Sequence, residues 1–350
     1  MLAFRTLSLL CFILLLPFNE ARNEAKIPRI EAIYQFGDSI SDTGNLMHEV
    51  GPVVCARPPY GQTFFHHPTG RCSDGLLMID NFAWALKLPF LSPYLDKFGN
   101  FSHGANFAVV GATALDVSYL KFRNITAFGT PSSLLVQLGW FKSHLATICL
   151  NPSECKQRMG NALFIVGGIG GNDYISGLSA GKTIQQLRSL VPHVVQAIST
   201  VIREVIYLGA RRIVVPGSFP AGCMPTCLAA FGSNDPAMYD ELGCLKIWND
   251  FASFHNFQLQ QAIISLQQHY PGVKIIYGDY FSALRLLLLN GGSLGFDRKG
   301  LYEPCCIMCG SDGVTACPNP SGRVSWDGLH LTQHAYQFIA DQLLKQIMML

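Results

Sequence analysis

The stretch Ile33-Tyr34-Gln35-Phe36-Gly37-Asp38-Ser39-Ile40-Ser41-Asp42-Thr43-Gly44-Asn45 decides how this chain is read. Ile33 to Phe36 has the look of a short strand, and Gly37-Asp38-Ser39 interrupts it with small and polar residues. A glycine before the serine permits a sharp turn, which sets Ser39 just beyond the carboxyl end of the strand. A helix N-terminus at that point would aim free backbone N–H groups toward developing negative charge. The plainer alternative is that Asp38, Ser39 or Ser41 caps a helix.

Working outward, the same grammar recurs. Leu163 to Val166 is a second short apolar run ending in a glycine-rich turn, and Ile213 to Val215 and Val273 to Tyr277 are strand-like. Between and after them, Ile184 to Leu208, Trp248 to His269, Phe281 to Leu289 and Thr332 to Met348 carry helical spacing. Strands separated by helices predict an α/β domain with a mainly parallel sheet, whose active-site loops lie beyond the carboxyl ends of the strands. No repeat or low-complexity linker divides the chain. The long connections near 40–75 and 291–328 are expected to decorate one face.

Lys plus Arg is 25 against 23 Asp plus Glu, so no basic excess points to nucleic acid. A hydrophobic share of 49% excludes a disordered chain. At the N-terminus, Arg5 precedes an apolar run from Leu7 to Phe18, then polar residues and Ala21. That is the build of a secretory signal peptide over residues 1–21, because the run is shorter than the roughly 20 residues needed to span a bilayer. Residues 22–350 are then one domain. Removing the signal takes Cys11 and leaves eleven of the twelve cysteines. In an exported chain most of them form disulfides, and the odd number leaves at least one unpaired. Cys149 and Cys155 suit a short-loop pair; Cys223, Cys227 and Cys244 form one cluster and Cys305, Cys306, Cys309 and Cys317 another, with pairing open. Cys306-x-x-Cys309 lacks the second pair that a zinc site needs. Asn100 and Asn124 stand in sequons and are candidate glycosylation sites.

Gly177-Leu178-Ser179-Ala180-Gly181 matches a nucleophile elbow in letters but lacks the preceding strand, so Ser179 reads as a loop or helix residue. Ser39 has better company. Near the C-terminus stands Ser325-Trp326-Asp327-Gly328-Leu329-His330. A serine hydroxyl needs a base, imidazole serves near neutral pH, and a carboxylate three residues earlier can orient the ring. His334 is a competing base, one turn further on, and reads as a surface or packing residue. His66 and His67 read as a surface loop, and Asp38, Asp42, Asn45 and Asp173 as structural.

Four ordered blocks now resemble a known family: Phe36-Gly37-Asp38-Ser39 with Asp42-Thr43-Gly44-Asn45; Gly104-Ala105-Asn106-Phe107-Ala108 continuing through Gly111; Gly170-Gly171-Asn172-Asp173-Tyr174; and Trp326-Asp327-Gly328-Leu329-His330. The chain resembles the plant GDSL-type esterase/lipases of the SGNH hydrolase superfamily, with Ile40 in place of the eponymous leucine. The resemblance implies a three-layer α/β/α, flavodoxin-like fold. It implies Ser39 as nucleophile, His330 as base and Asp327 as its orienting carboxylate, with an oxyanion hole from the Ser39 and Gly104 backbone N–H groups and the Asn172 side chain. It implies a secreted (apoplastic or vacuolar) serine esterase for small-molecule esters, with no cofactor, no metal, no nucleic acid, no stable membrane insertion and a monomeric state. Pro59-Tyr60-Gly61-Gln62-Thr63-Phe64-Phe65 and Thr69-Gly70-Arg71-Cys72-Ser73-Asp74-Gly75 resemble the plant branch that acts on esters of specialised metabolites, which implies acetyl or aromatic acyl esters, such as those of alkaloids. A lipid esterase, an acyltransferase using an alcohol acceptor, and a non-catalytic binding protein are the alternatives.

Overall fold

The structure, a computed structural model, describes residues 29–350; the signal-peptide expectation for residues 1–21 lies outside them. Five strands, β1 (Ala32–Phe36), β2 (Gly104–Asn106), β3 (Ala162–Val166), β4 (Arg212–Pro216) and β5 (Lys274–Gly278), form one sheet in the order β2-β1-β3-β4-β5. Every pairing is parallel. The α-helices are α1 (Asn45–Val50), α2 (Met78–Ala85), α3 (Val117–Phe122), α4 (Leu134–Ile148), α5 (Pro152–Gly160), α6 (Gly171–Ser179), α7 (Ile184–Tyr207), α8 (Pro225–Phe231), α9 (Lys246–His269), α10 (Tyr280–Asn290) and α11 (Gln333–Ile347).

Successive strand residues point to opposite faces, and both faces are covered. Tyr34, Phe36, Phe164, Val166, Ile213 and Val215 pack against α4, α7 and α9. Ile33, Leu163, Ile165 and Val214 pack against α2, α10 and α11. A parallel sheet buried on both sides needs near-continuous apolar strands, which is what the runs at β3 and β4 supply. The three-layer α/β/α expectation holds. Helix α7 shows how the sequence writes its own ends and face. Thr183 and Gln186 form a capping box, and Leu187, Leu190, Val191, Val194, Val195, Ile198, Val201, Ile202 and Val205 form a buried stripe at three-and-four spacing.

The long connections do more than decorate. Cys55, Tyr60 and Cys72 from the first pack with Cys305, Cys306, Cys309 and Trp326 from the last, in a third, separate apolar cluster. Disulfides join Cys55 to Cys72, Cys149 to Cys155, Cys223 to Cys244, Cys305 to Cys317, and Cys306 to Cys309. Cys227 is the free thiol among the described residues. The odd count therefore resolves onto one residue, and the Cys306-x-x-Cys309 pair is a disulfide. Arg71 grips Asp80 on α2 through Nε at 2.9 Å and Nη2 at 2.8 Å, which ties the first connection down to the sheet's helical layer.

The Cys55–Cys72 bridge closes a 17-residue separation. Replacing both cysteines by serine is expected to cost about 3 kcal/mol, read as a lower midpoint in guanidinium unfolding, with a somewhat steeper slope because the uncrosslinked chain expands further.

Candidate active site

All five strands run the same way, so their carboxyl ends share one edge, and the loops there build the site. Ser39 follows β1. The Gln137 amide from α4 clamps the turn: Gly37 N–H donates to Oε1 at 2.9 Å, and Nε2 donates to Gly37 O at 2.8 Å. A Cβ on Gly37 would stand 2.7 Å from Gly167 O, so only glycine lets β1 and the loop after β3 approach this closely. The helix anticipated directly after Ser39 is a single turn instead. Ser41 and Asp42 N–H both return to Asp38 O, the Asp38 carboxylate accepts from Ile40 N–H, and α1 begins only at Asn45.

The base arrives from the other end of the chain. Ser325 and Leu331 form a bridge that closes the Trp326–His330 loop, and Gly328, at φ 98°, turns its tip. Inside this loop Asp327 Oδ1 accepts from Leu329 N–H at 3.0 Å and His330 N–H at 2.8 Å. Asp327 Oδ2 lies 2.6 Å from His330 Nδ1, and His330 Nε2 lies 2.8 Å from Ser39 Oγ. Ser39 and His330 are both buried. Burial works against the charge on His330, but the Asp327 carboxylate on Nδ1, with Asp38 further off, outweighs it and holds the imidazole above its ordinary value. Burial likewise opposes the charge on Asp327, but the charge and hydrogen bonds of His330 and the Leu329 amide keep it below the usual carboxylate range. Asp38 is pushed up to about 7 by burial.

Asn172 lies in the first turn of α6. Its Nδ2 donates to Ala112 O at 2.9 Å, which leaves a second amide proton free. Asn172, Ser39 and Asp38 line one cavity of about 490 Å³. The rest of its wall is largely apolar, with Ile169, Phe219, Met224, Trp248, Phe251 and Leu329 prominent.

Gly104 does not belong to this site, which corrects the expectation. It opens β2 in register with Ile33, at the opposite end of the strands from Ser39. Its N–H donates to Phe101 O at 3.3 Å. Its role is packing, because a Cβ there would meet Ile33 O at 1.8 Å. The block continues to Gly111, seven positions on. It sits at φ 80°, next to the Ala112 carbonyl that anchors Asn172. No acceptor among the described residues takes its N–H. A backbone donor has no side-chain signature, so only its small neighbours could mark it in the sequence.

The remaining candidates fall where the sequence put them. Asp42 accepts from the Gly44, Asn45, Leu46 and Val110 amides, and Asp173 from Ala114 and Leu115. Asn45 bridges Asn106 O and Ala108 O. Ser179 ends α6, exposed, on the lining of the same cavity. His334 stacks on Phe296 with ring centroids 4.3 Å apart. His66 is exposed and turned back on Gln62 O. Asn100 and Asn124 are both exposed. No helix among the described residues is long and apolar enough to cross a membrane.

A hydrogen-bonded serine, imidazole and carboxylate beside free N–H donors is the equipment of acyl transfer. Residues 33–343 match the sequence profile of the GDSL-like Lipase/Acylhydrolase family, and the chain belongs to that family. It is a carboxylic ester hydrolase. Among its relatives, acetylajmalan esterase 1 of Rauvolfia serpentina is 44% identical over 331 residues, covering 91% of this chain and 86% of the relative. A second Rauvolfia serpentina protein, acetylajmalan esterase, is also 44% identical, covering 91% and 85%. A GDSL esterase/lipase of Arabidopsis thaliana is 42% identical over 342 residues, covering 93% and 85%.

Two outcomes follow from this geometry. Gly104→Ala is expected to lower the melting temperature steeply, yet leave kcat/KM per folded molecule unchanged. The base must be neutral to accept a proton, so kcat/KM is expected to fall as pH drops through a pKa above the ordinary imidazole value of about 6.5. Asp327→Asn removes the group that raises that pKa. Its acidic limb should move to lower pH while the rate falls by about 10⁴-fold, read in a pH–rate profile.

Proposed function

We propose that the chain is a secreted serine esterase that works through an acyl-Ser39 intermediate on esters with an apolar or aromatic body. The observation that carries this reading is the continuous chain Asp327–His330–Ser39, at 2.6 Å and 2.8 Å, opening on a largely apolar cavity. His330 Nε2 takes the Ser39 proton as Oγ attacks the ester carbonyl carbon. The carbonyl π electrons move onto oxygen, which the Ser39 N–H, the Asn172 amide and the Gly111 N–H stabilise. Collapse breaks the bond to the alkoxy oxygen, and His330 returns its proton to the departing alcohol. Water then attacks the acyl carbon with His330 again as base, and the carboxylic acid leaves. A lost oxyanion donor typically costs about 3 kcal/mol of transition-state stabilisation, so Asn172→Ala should lower kcat by roughly 10²-fold or more.

The cavity indicates the substrate class. Its aromatic and aliphatic wall rewards a bulky apolar group, and Asp38 at the catalytic end is its one acidic side chain. Two relatives bear the name acetylajmalan esterase. We therefore assign small acetyl or aromatic acyl esters of specialised metabolites, alkaloids among them. Five disulfides suit an oxidising compartment, in line with secretion, and the exposed Asn100 and Asn124 suit glycosylation there.

A serine-directed phosphonate with peptide mapping should label Ser39 and be blocked in Ser39→Ala; labelling at Ser179 would overturn the assignment. A panel of acetyl, sinapoyl and long-chain esters, run with and without an alcohol, reads the rest. Free acid from the first two is the expected product. Preference for long-chain esters would make the protein a lipid esterase, and dominant ester exchange in water an acyltransferase.

A further inference from the structure

We infer that Tyr60, in the loop tied by the Cys55–Cys72 disulfide, is a positioning residue that fixes the Asp327–His330 pair and tunes its basicity through a hydrogen bond to Asp327. The inference rests on the triad reading above. Tyr60 Oη donates to Asp327 Oδ2 at 2.9 Å, the same oxygen that faces His330 Nδ1 at 2.6 Å. Asp327 Oδ1 is already engaged by the Leu329 and His330 amides. The phenol therefore completes the set of four donors around this buried carboxylate, and it alone comes from outside the 325–331 loop.

The surroundings leave the phenol little freedom. Tyr60 is 4% exposed, and its ring meets Trp326 edge-on with centroids 5.9 Å apart. Its backbone is pinned by Tyr60 N–H to Arg57 O, and Gly61 N–H reaches Ser73 O. On the other side, Cys305 N–H donates to Ser325 O and Cys306 N–H to Trp326 O, so two further disulfides hold the Asp327 loop. Three disulfides thus converge on a tyrosine and the carboxylate it holds. Burial and the facing Asp327 charge hold the phenol far above its ordinary pKa, so it remains an O–H donor at any working pH.

A donor on Oδ2 has two consequences. It fixes the carboxylate plane, and hence the direction in which the imidazole ring points. It also spreads the Asp327 charge, so that charge holds the imidazolium less tightly. The other groups bearing on the pair are Asp38 and Ser39 from the loop after β1, and Tyr336 from α11. None of them touches Oδ2. Tyr60 does not line the cavity, so its removal should spare substrate binding.

The test is Tyr60→Phe, which keeps the ring on Trp326 and deletes one hydrogen bond to a charged group. Such bonds correspond to roughly 10- to 100-fold. A fall in kcat of about tenfold or more is expected with KM held within about twofold, and the acidic limb of kcat/KM should rise by about 0.5 unit. Genetically encoded 3,5-difluorotyrosine at position 60 is a stronger donor of nearly the same shape. It should move the limb the opposite way, and it decides the matter if the phenylalanine variant folds poorly. Wild-type kcat and an unmoved limb in both variants would overturn the inference. Ser39→Ala and Asp327→Asn run alongside: activity retained in these would sink the triad reading itself, whereas their inactivity beside an unaffected Tyr60→Phe would sink only the role of Tyr60.

Discussion

The contact that the rest of the structure serves is the 2.8 Å hydrogen bond between Ser39 and His330, whose partners are 291 residues apart. A hydrogen bond of that length tolerates displacements of only a few tenths of an ångström, so both ends must be fixed independently. At one end, β1 lies inside the sheet, flanked by β2 and β3, and the Gln137 amide holds the turn that follows it. At the other, the His330 loop runs straight into α11, which packs along α2 and α10. Cross-ties finish the frame: Ser73 Oγ donates to Leu331 O, and Gln333 N–H to Asp74 Oδ1.

Much of the polar chemistry buried near the site goes to holding backbone. Asp42 takes four amide donors, Asp173 two, and Asn45 spans two carbonyls. A buried carboxylate is costly unless its lone pairs are engaged, and these are engaged by loops that would otherwise leave amides unpaired. The cavity beyond them is largely apolar, so the charges and dipoles of the reacting strip act through a medium that screens them far less than water does. Asp38 shows how strong that environment is, since desolvation alone carries its carboxyl up to about 7 against two opposing hydrogen bonds.

The sheet could be read in the sequence wherever a strand was an apolar run, as at β1, β3 and β4, which are buried almost throughout, and at β5, an edge strand whose Ile275 is buried. It could not be read at β2, whose three residues Gly-Ala-Asn carry no hydrophobic pattern and are placed by pairing with β1. Helix α4 escaped as well, for its buried face includes Gln137 and His144 among the leucines. In the candidate site, the serine, imidazole and carboxylate were legible because each has a chemistry of its own. The glycine donor was not, since a backbone N–H belongs to no residue type. Gly104 and Gly111 differ in the sequence only by position: one opens β2, and the other sits in the turn after it. Tyr60 was invisible for a related reason: it is 267 residues from the carboxylate it touches. The turn closed on Asp38 O, where a helix start was the expectation, shows how closely one hydrogen-bonded turn imitates a cap in sequence.

The placement of the disulfides has a consequence for what reduction would do to the molecule. None of the five joins residues more than 21 positions apart, and no strand of the sheet contains a cysteine. The strands are therefore held to one another by burial and hydrogen bonds, and reduction would cut no link between them. It would act locally instead, on short stretches of chain. Nearness along the chain does not choose the partners: Cys223 bridges 21 positions to Cys244 while Cys227, between them, stays free. Three of the five gather around Tyr60 and the Asp327 loop, whereas Cys149–Cys155 sits before β3, at the sheet's other edge.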